Sequence, residues 1–344
     1  MSRNSRRTAP KSKIVKMGVI KKLLIGSTVA AVAAVASFAW WASEPITEQQ
    51  SPIAFTVLAG SGVSLASQHI AEAGVPVNAF LFSLLVRVTQ KSLSIKAGSY
   101  ELKPGTSPRR LIDQLVRGEF AQESLTIIEG WTFKQMREAI AGNQGLKHET
   151  AALSDRELMA KISADFSAPE GLFFPDTYLF AKGSTDLTIY KQAHAMLLTH
   201  LNTAWQKRDP NLPYRTPYQA LVMASIVEKE TGQKSERTLI AGVFVNRLRL
   251  GMLLQTDPSV IYGMGARYDG KIRKRDLETD TPYNTYTRGG LPPTPIALPG
   301  VQSLDAAIKP AKTDALYFVS RGDGTSKFSG NLVEHNRAVN QFQR

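Results

Sequence analysis

The hydrophobic pattern divides this 344-residue chain into stretches of different period. From Leu23 to Trp41 the run LLIGSTVAAVAAVASFAWW is uncharged over 19 residues, and as a helix it extends about 28 Å, enough to cross a bilayer. Between residues 53 and 145 a smaller pattern recurs three times: a strand-like apolar stretch, a glycine, one residue, a Ser or Thr, then an amphipathic helix. The copies are FTVLAGSGVSLASQHIAEAGV, SYELKPGTSPRRLIDQLVRGE and LTIIEGWTFKQMREAIAGNQG. Gly62, Gly105 and Gly130 are expected to supply the turns, Ser64, Ser107 and Thr132 the N-cap oxygens, and Pro108 a first helical position. Residues 146–215 read mostly as helix, interrupted by the aromatic stretch EGLFFPDTYLF at Glu170–Phe180, which suits a packed strand-turn or the wall of a groove.

After Thr216-Pro217, a good N-cap and N1 pair, a helix is predicted over Tyr218–Glu230, stopping at Gly232, and another from about Ser235 to Leu250. Between Gly263 and Gly300 the run TPYNTYTRGGLPPTPIALPG is too rich in Pro and Gly for long regular elements. Long irregular segments inside compact domains are often functional. A short helix (Ser303–Lys309), a hairpin (LYFVSRGDGTSKFSG) and a terminal helix (Asn331–Phe342) complete an α+β chain.

Charge sharpens the reading of the amino-terminal segment. The net charge is +13, but residues 1–22 hold eight Lys and Arg and no acid. The remaining +5 is spread over some 320 residues, too thin for a nucleic-acid groove. The basic flank holds the amino-terminal end in the cytoplasm, and Trp40 and Trp41 suit the far interface, which places everything beyond them outside. The competing reading is a cleaved signal peptide with Ser37-Phe38-Ala39 as its processing site; the long apolar run and the two tryptophans favour an uncleaved anchor. The organisation expected is a cytoplasmic basic tail (1–22), a transmembrane anchor (23–41), a polar linker (42–51), the repeat region (52–145) and a larger domain (146–344). With no cysteine, disulfides and thiolate chemistry are excluded, and the five histidines have no metal-ligand spacing. Neither a metal nor a cofactor is expected.

The helix Tyr218–Glu230 is apolar nearly all round, so it must be buried, and it carries Glu228 and Glu230 in its last turn. Carboxylates there face the negative end of the helix dipole, and burial adds to the same effect, favouring the protonated form that donation to a glycosidic oxygen requires. The two glutamates lie about 200° apart around the helix and cannot share one site. Periodicity does not choose between them, and for either one a solvated carboxylate paired with Lys229 or Lys234 is an alternative.

The strings MASIVEKET, FVNRLRLGMLLQTDPSVIYGMG, LETDTPYNTYT and GLPPTPIALPG, with GSYELKPGTS and EGLFFPDTYLF upstream, closely resemble the MltG (YceG-like) family of endolytic murein transglycosylases. This resemblance implies a small LysM-like βα subdomain, for which a purely architectural repeat is the alternative, followed by a mixed α/β catalytic subdomain. It assigns catalysis to the first glutamate of the IVEKE string, Glu228. It implies cleavage between N-acetylmuramic acid and N-acetylglucosamine in nascent peptidoglycan strands, leaving 1,6-anhydro ends and terminating elongation. The location implied is the bacterial cytoplasmic membrane, with the catalytic domain periplasmic, glycan strands as substrate and peptidoglycan synthases as partners. Ser225, Gln255, Asp257, Tyr283, Asn284 and Tyr286 are the expected substrate-binding residues, loop-closing hydrogen bonds being the alternative. The chain departs from the family pattern at Thr294, where glycine is usual, and at Leu298.

Two other function classes remain open at this level. One is a non-catalytic glycan-binding scaffold of the elongation or division machinery. The other is a glycoside hydrolase pairing Glu228 with a second carboxylate roughly 5–9.5 Å away, for which Asp257, Glu278 and Asp280 are available.

Overall fold

A computed structural model describes residues 12–46 and 52–343, with side chains from Lys21 onward. The basic tail through residue 11 and residues 47–51 of the expected linker lie outside the described residues. The chain forms two compact units that meet in sequence at Ala121–Gln122.

In the first unit α1 (Ser12–Ser43) contains the apolar segment, and Lys21–Ser43 is long and apolar enough to cross a membrane. Its last turn folds onto the unit it precedes. Ala42 is buried, Phe38 and Trp41 stack at 5.6 Å against the core, and the Ile46 amide donates to the Thr106 carbonyl at 2.8 Å. The stretch expected as a free linker is therefore partly core. The two tryptophans also part company, Trp41 packing inward and Trp40 remaining exposed.

Strand β1 (Ile53–Val57) pairs antiparallel with β2 (Gly98–Leu102), with Phe55 opposite Tyr100 and their rings stacked at 5.6 Å. Helices α2 (Val63–Glu72) and α3 (Ala79–Val88) lie between the strands in sequence, and α4 (Pro108–Arg117) follows them. The predicted cap holds for Ser107, whose oxygen accepts the Arg110 amide. It fails for Ser64, because α2 begins one residue after Gly62; the Ser64 hydroxyl accepts from Arg87 instead.

The second unit comprises β3 (Gln122–Thr126), α5 (Phe133–Ala141), α6 (Asp155–Ile162), β4 (Thr177–Ala181), α7 (Asp186–Gln206), α8 (Pro217–Glu230), α9 (Arg237–Arg249), α10 (Asp257–Met264), α11 (Lys274–Glu278), α12 (Val301–Ile308), the hairpin β5 (Tyr317–Ser320) and β6 (Ser326–Ser329), and α13 (Leu332–Phe342). The third copy of the recurring pattern belongs here, although the sequence groups it with the first two. The reason is long-range pairing: β3 joins β4, Leu125 lies opposite Tyr178, and Leu125, Ile127 and Met136 enter this unit's core.

Helix α8 is the central element. Every residue from Ala220 to Val227 is buried, and α7, α9, α10 and α12 all pack against it. That enclosure accounts for its lack of a polar face. Thr216 accepts the Gln219 amide and Pro217 begins the helix, as the sequence predicts. The irregular run 263–300 is less structureless than expected, since α10 ends at its start and α11 lies within it.

In EGLFFPDTYLF the packing reading holds for Leu172 and Phe173, which are fully buried. Gly171 turns the chain at φ +76°, and a Cβ there would lie 2.3 Å from the Pro295 Cβ. Gly171→Ala therefore combines left-handed strain with a clash, and should cost about 2 kcal/mol or more in denaturant unfolding.

Candidate active site

The last turn of α8 sends its two carboxylates into different environments. Glu228 is held by donors on both oxygens: Arg237 Nη2 donates to Oε1 at 3.0 Å, and the Gly300 amide donates to Oε2 at 3.0 Å. The ion pair is enclosed, with side chains 5% (Glu228) and 6% (Arg237) exposed. The same guanidinium donates to Gln302 Oε1 at 2.9 Å and lies 3.9 Å from Glu129. Lys229 does not pair with either glutamate; its ammonium donates to the Gly130 carbonyl at 3.2 Å.

Glu230 takes the other side of the helix. Its carboxylate accepts the Thr256 hydroxyl in a short hydrogen bond. Burial pushes its carboxyl up to about 7, with the Asp257 charge acting in the same direction and Thr256 and Arg247 opposing it. Arg247 is itself buried and committed elsewhere, donating to the carbonyls of Leu316 at 2.7 Å and Leu254 at 2.8 Å. Asp257, at the start of α10, accepts the Tyr286 hydroxyl at 2.5 Å, and burial together with that carboxylate raises the Tyr286 phenol. Gln255 adjoins them with φ +49°, a left-handed conformation unusual for a side-chain-bearing residue, held by its amide donating to the Thr285 carbonyl at 3.0 Å. Gln255 and Asp257 are exposed. The result is a polar cluster with one carboxyl poised to hold or release a proton near neutral pH, the property a general acid needs.

The expected binding residues thus separate. Gln255, Asp257 and Tyr286 gather around Glu230. Asn284 is 1% exposed and closes its own loop, its amide donating to the carbonyls of Leu277 at 3.0 Å and Thr279 at 2.7 Å while its oxygen accepts the Tyr286 amide. Ser225, fully buried, donates to Val222 and accepts the Ile296 amide at 3.0 Å. In both, the polar side-chain atoms bond to backbone. Tyr283 sets its ring edge-on to Tyr262 at 4.8 Å, with its hydroxyl 2.9 Å from Thr294. Among the second carboxylates considered, Asp280 forms a bidentate pair with exposed Arg288 and Glu278 pairs with Lys274.

Sequence reasoning missed Thr256, which contacts Glu230 directly, and Glu170. Burial pushes the Glu170 carboxyl up to about 7, against hydrogen bonds from the Phe133 amide at 2.9 Å and the Tyr262 hydroxyl at 3.1 Å. No local pattern marks Glu170, since its burial comes from segments far away in sequence. Among the described residues no group of histidines and carboxylates has the arrangement of a metal site.

The profile of the YceG-like family matches residues 55–341. An endolytic murein transglycosylase of Bacillus subtilis is 31% identical over 322 residues, covering 87% of each chain. One from Streptococcus pneumoniae is 29% identical over 314 residues, covering 81% of this chain and 56% of that longer relative. The crystal structure of a YceG-like protein from Listeria monocytogenes superposes with a TM-score of 0.55 at 32% identity, covering 84% of this chain and 99% of the other.

Two outcomes follow from this geometry. Arg237→Leu, which strands a buried carboxylate, should lower unfolding stability by about 3–5 kcal/mol in urea titrations. Glu230 and Glu170 bind protons more tightly folded than unfolded, so the stability they contribute is complete below their unfolded values near 4.5 and is lost as pH rises through about 7. The urea midpoint should fall between pH 5 and pH 8, and the double substitution Glu230→Gln, Glu170→Gln should flatten that slope.

Proposed function

Because this chain belongs to the YceG-like family, we propose that it is an endolytic lytic transglycosylase of peptidoglycan, with Glu230 rather than Glu228 as its acid and base. The observation that carries the choice of glutamate is the contrast within one helical turn. Glu228 has both oxygens engaged by Arg237 and Gly300, whereas burial brings Glu230 to about 7 beside the exposed pair Gln255 and Asp257.

In this mechanism Glu230 donates its proton to the glycosidic oxygen linking N-acetylmuramic acid to N-acetylglucosamine. As C1 of the muramic ring loses that oxygen, the ring's own C6 hydroxyl attacks C1, and the Glu230 carboxylate takes up the hydroxyl proton. The products are a strand with a new free 4-hydroxyl and a 1,6-anhydro end, and no water is consumed. Thr256 orients the carboxyl, and Asp257, held by Tyr286, stabilises positive charge developing at C1. The cytoplasmic basic tail and α1 anchor the chain in the cytoplasmic membrane, with the residues beyond α1 outside. There it meets nascent strands, makes peptidoglycan synthases its partners and terminates elongation. The first unit, with its two helices between paired strands, serves as the LysM-like glycan-binding subdomain.

Mass spectrometry of digested peptidoglycan tests this reading: anhydro ends support it, reducing ends indicate a hydrolase, and no new ends indicate a scaffold. Glu230→Gln should lower kcat by about 100-fold or more. If Glu228→Gln, folded by circular dichroism, loses activity to that degree while Glu230→Gln retains it, the assignment is reversed. Since the acid must be protonated, kcat/KM should fall as pH rises through about 7.

A further inference from the structure

A cavity of about 790 Å³ opens in the second unit beside Glu170, lined by Phe133, Glu170, Tyr262, Tyr268, Tyr283 and Thr294. Its size falls in the range of small-ligand sites, and its lining has their usual make-up of aromatic walls with a few convergent polar groups. Tyr262 and Tyr283, edge to face, form one wall. The polar end is Glu170, 7% exposed, with Phe133 N–H on one oxygen and Tyr262 O–H on the other.

The charges around the cavity identify the class of ligand. Lys134 is mostly exposed and pairs with Glu138, while Arg137 is held by Asp155 at 2.6 Å and by the carbonyls of Thr150 and Leu153. Arg137 is thereby committed to protein partners, whereas the Lys134 ammonium, 79% exposed and 3.9 Å from Glu138, is only weakly held. The carboxyl of Glu170 takes its hydrogen bonds from neutral donors, the Phe133 amide and the Tyr262 hydroxyl, and burial pushes it up to about 7. Aromatic walls with hydrogen-bonding groups at one end suit a ligand with apolar faces, hydroxyls and an amide.

Helix α10 relates the cavity to the proposed acid. Asp257 in its first turn belongs to the Glu230 cluster, and Tyr262 follows five residues later, about 7.5 Å along the axis.

Building on the transglycosylase reading, we propose that this cavity is a glycan subsite that seats one N-acetylated sugar ring against Tyr262 and Tyr283, with Glu170 hydrogen-bonded to its polar substituents. Thr294 sets the shape of the subsite, because its hydroxyl meets Tyr283 where a glycine would leave that ring unpinned. Glu170 is a binding residue and takes no part in proton transfer to the scissile oxygen.

The test uses the full chain in detergent, with chitotetraose as binding probe and peptidoglycan as substrate. Ala266 lies on the exposed rim of the cavity, so Ala266→Trp blocks the opening without disturbing buried groups; Tyr262→Phe and Glu170→Gln alter the polar end. The expected result is that Ala266→Trp abolishes chitotetraose binding and that all three variants raise KM by about tenfold with kcat little changed. Unchanged KM and unchanged chitotetraose binding overturn the subsite. A collapse of kcat at saturating substrate in Glu170→Gln also overturns it, since Glu170 would then act on the reacting atoms. If the wild-type chain releases no anhydro ends, the transglycosylase reading fails separately; chitotetraose binding lost in Ala266→Trp would still support the cavity as a glycan site, and no binding by the wild type would overturn it.

Discussion

The ion pair between Glu228 and Arg237 is the constraint on which the second unit is assembled. Arg237 opens α9, Glu228 lies in the last turn of α8, Gly300 precedes α12, and Glu129 belongs to the turn before α5. A buried carboxylate and a buried guanidinium are each expensive to desolvate, and they are stable together only when the remaining donors and acceptors are satisfied. Here Gln302 and the Gly300 amide supply partners for Arg237 Nη1 and Glu228 Oε2, while the buried Arg237 Nε has none among the described residues. Backbone bonds between Gly130 and Leu298 and between Leu298 and Trp131 close the same junction. Elements distant in sequence are thereby fixed at one point.

That junction orients α8, and α8 in turn places Glu230. Since the two glutamates are two residues apart, tethering Glu228 to Arg237 turns Glu230 toward Thr256 and the start of α10. The same turn of helix thus presents an ion-paired carboxylate on one side and one buried against Thr256 on the other. The difference between them is one of surroundings alone, a compensating guanidinium for Glu228 against burial with a neighbouring aspartate for Glu230.

The run 263–300 has two roles that its composition does not distinguish. Asn284 and Thr285 are buried and hold the loop to α10 and α11 through backbone contacts, whereas Tyr286 reaches Asp257 and Tyr283 reaches the Glu170 cavity. Side chains of similar chemistry, adjacent in sequence, therefore serve the loop's own closure, the Glu230 cluster and the cavity wall. Alternation of direction along an irregular backbone decides which does which, and that direction is set by contacts with helices elsewhere.

The sequence by itself determined the α+β character, the apolar segment of α1, the burial of α8, the caps at Ser107, Thr132 and Thr216, and the terminal hairpin, because each depends on neighbours within a few residues. Its motifs also determined the family. Tertiary structure alone decided that β3 and α5 belong with the second unit, that Trp41 packs inward, that Ser225 and Asn284 bond to backbone, and that the two glutamates of one helical turn meet different surroundings. The physical reason is that strand pairing, desolvation and ion pairing depend on how separate elements pack, from neighbouring helices, as for Glu228 and Arg237, to segments more than a hundred positions apart, as for Gly130 and Leu298. Arg237, Thr256 and Gly300 act on the carboxylates of α8 only once the chain has brought them together.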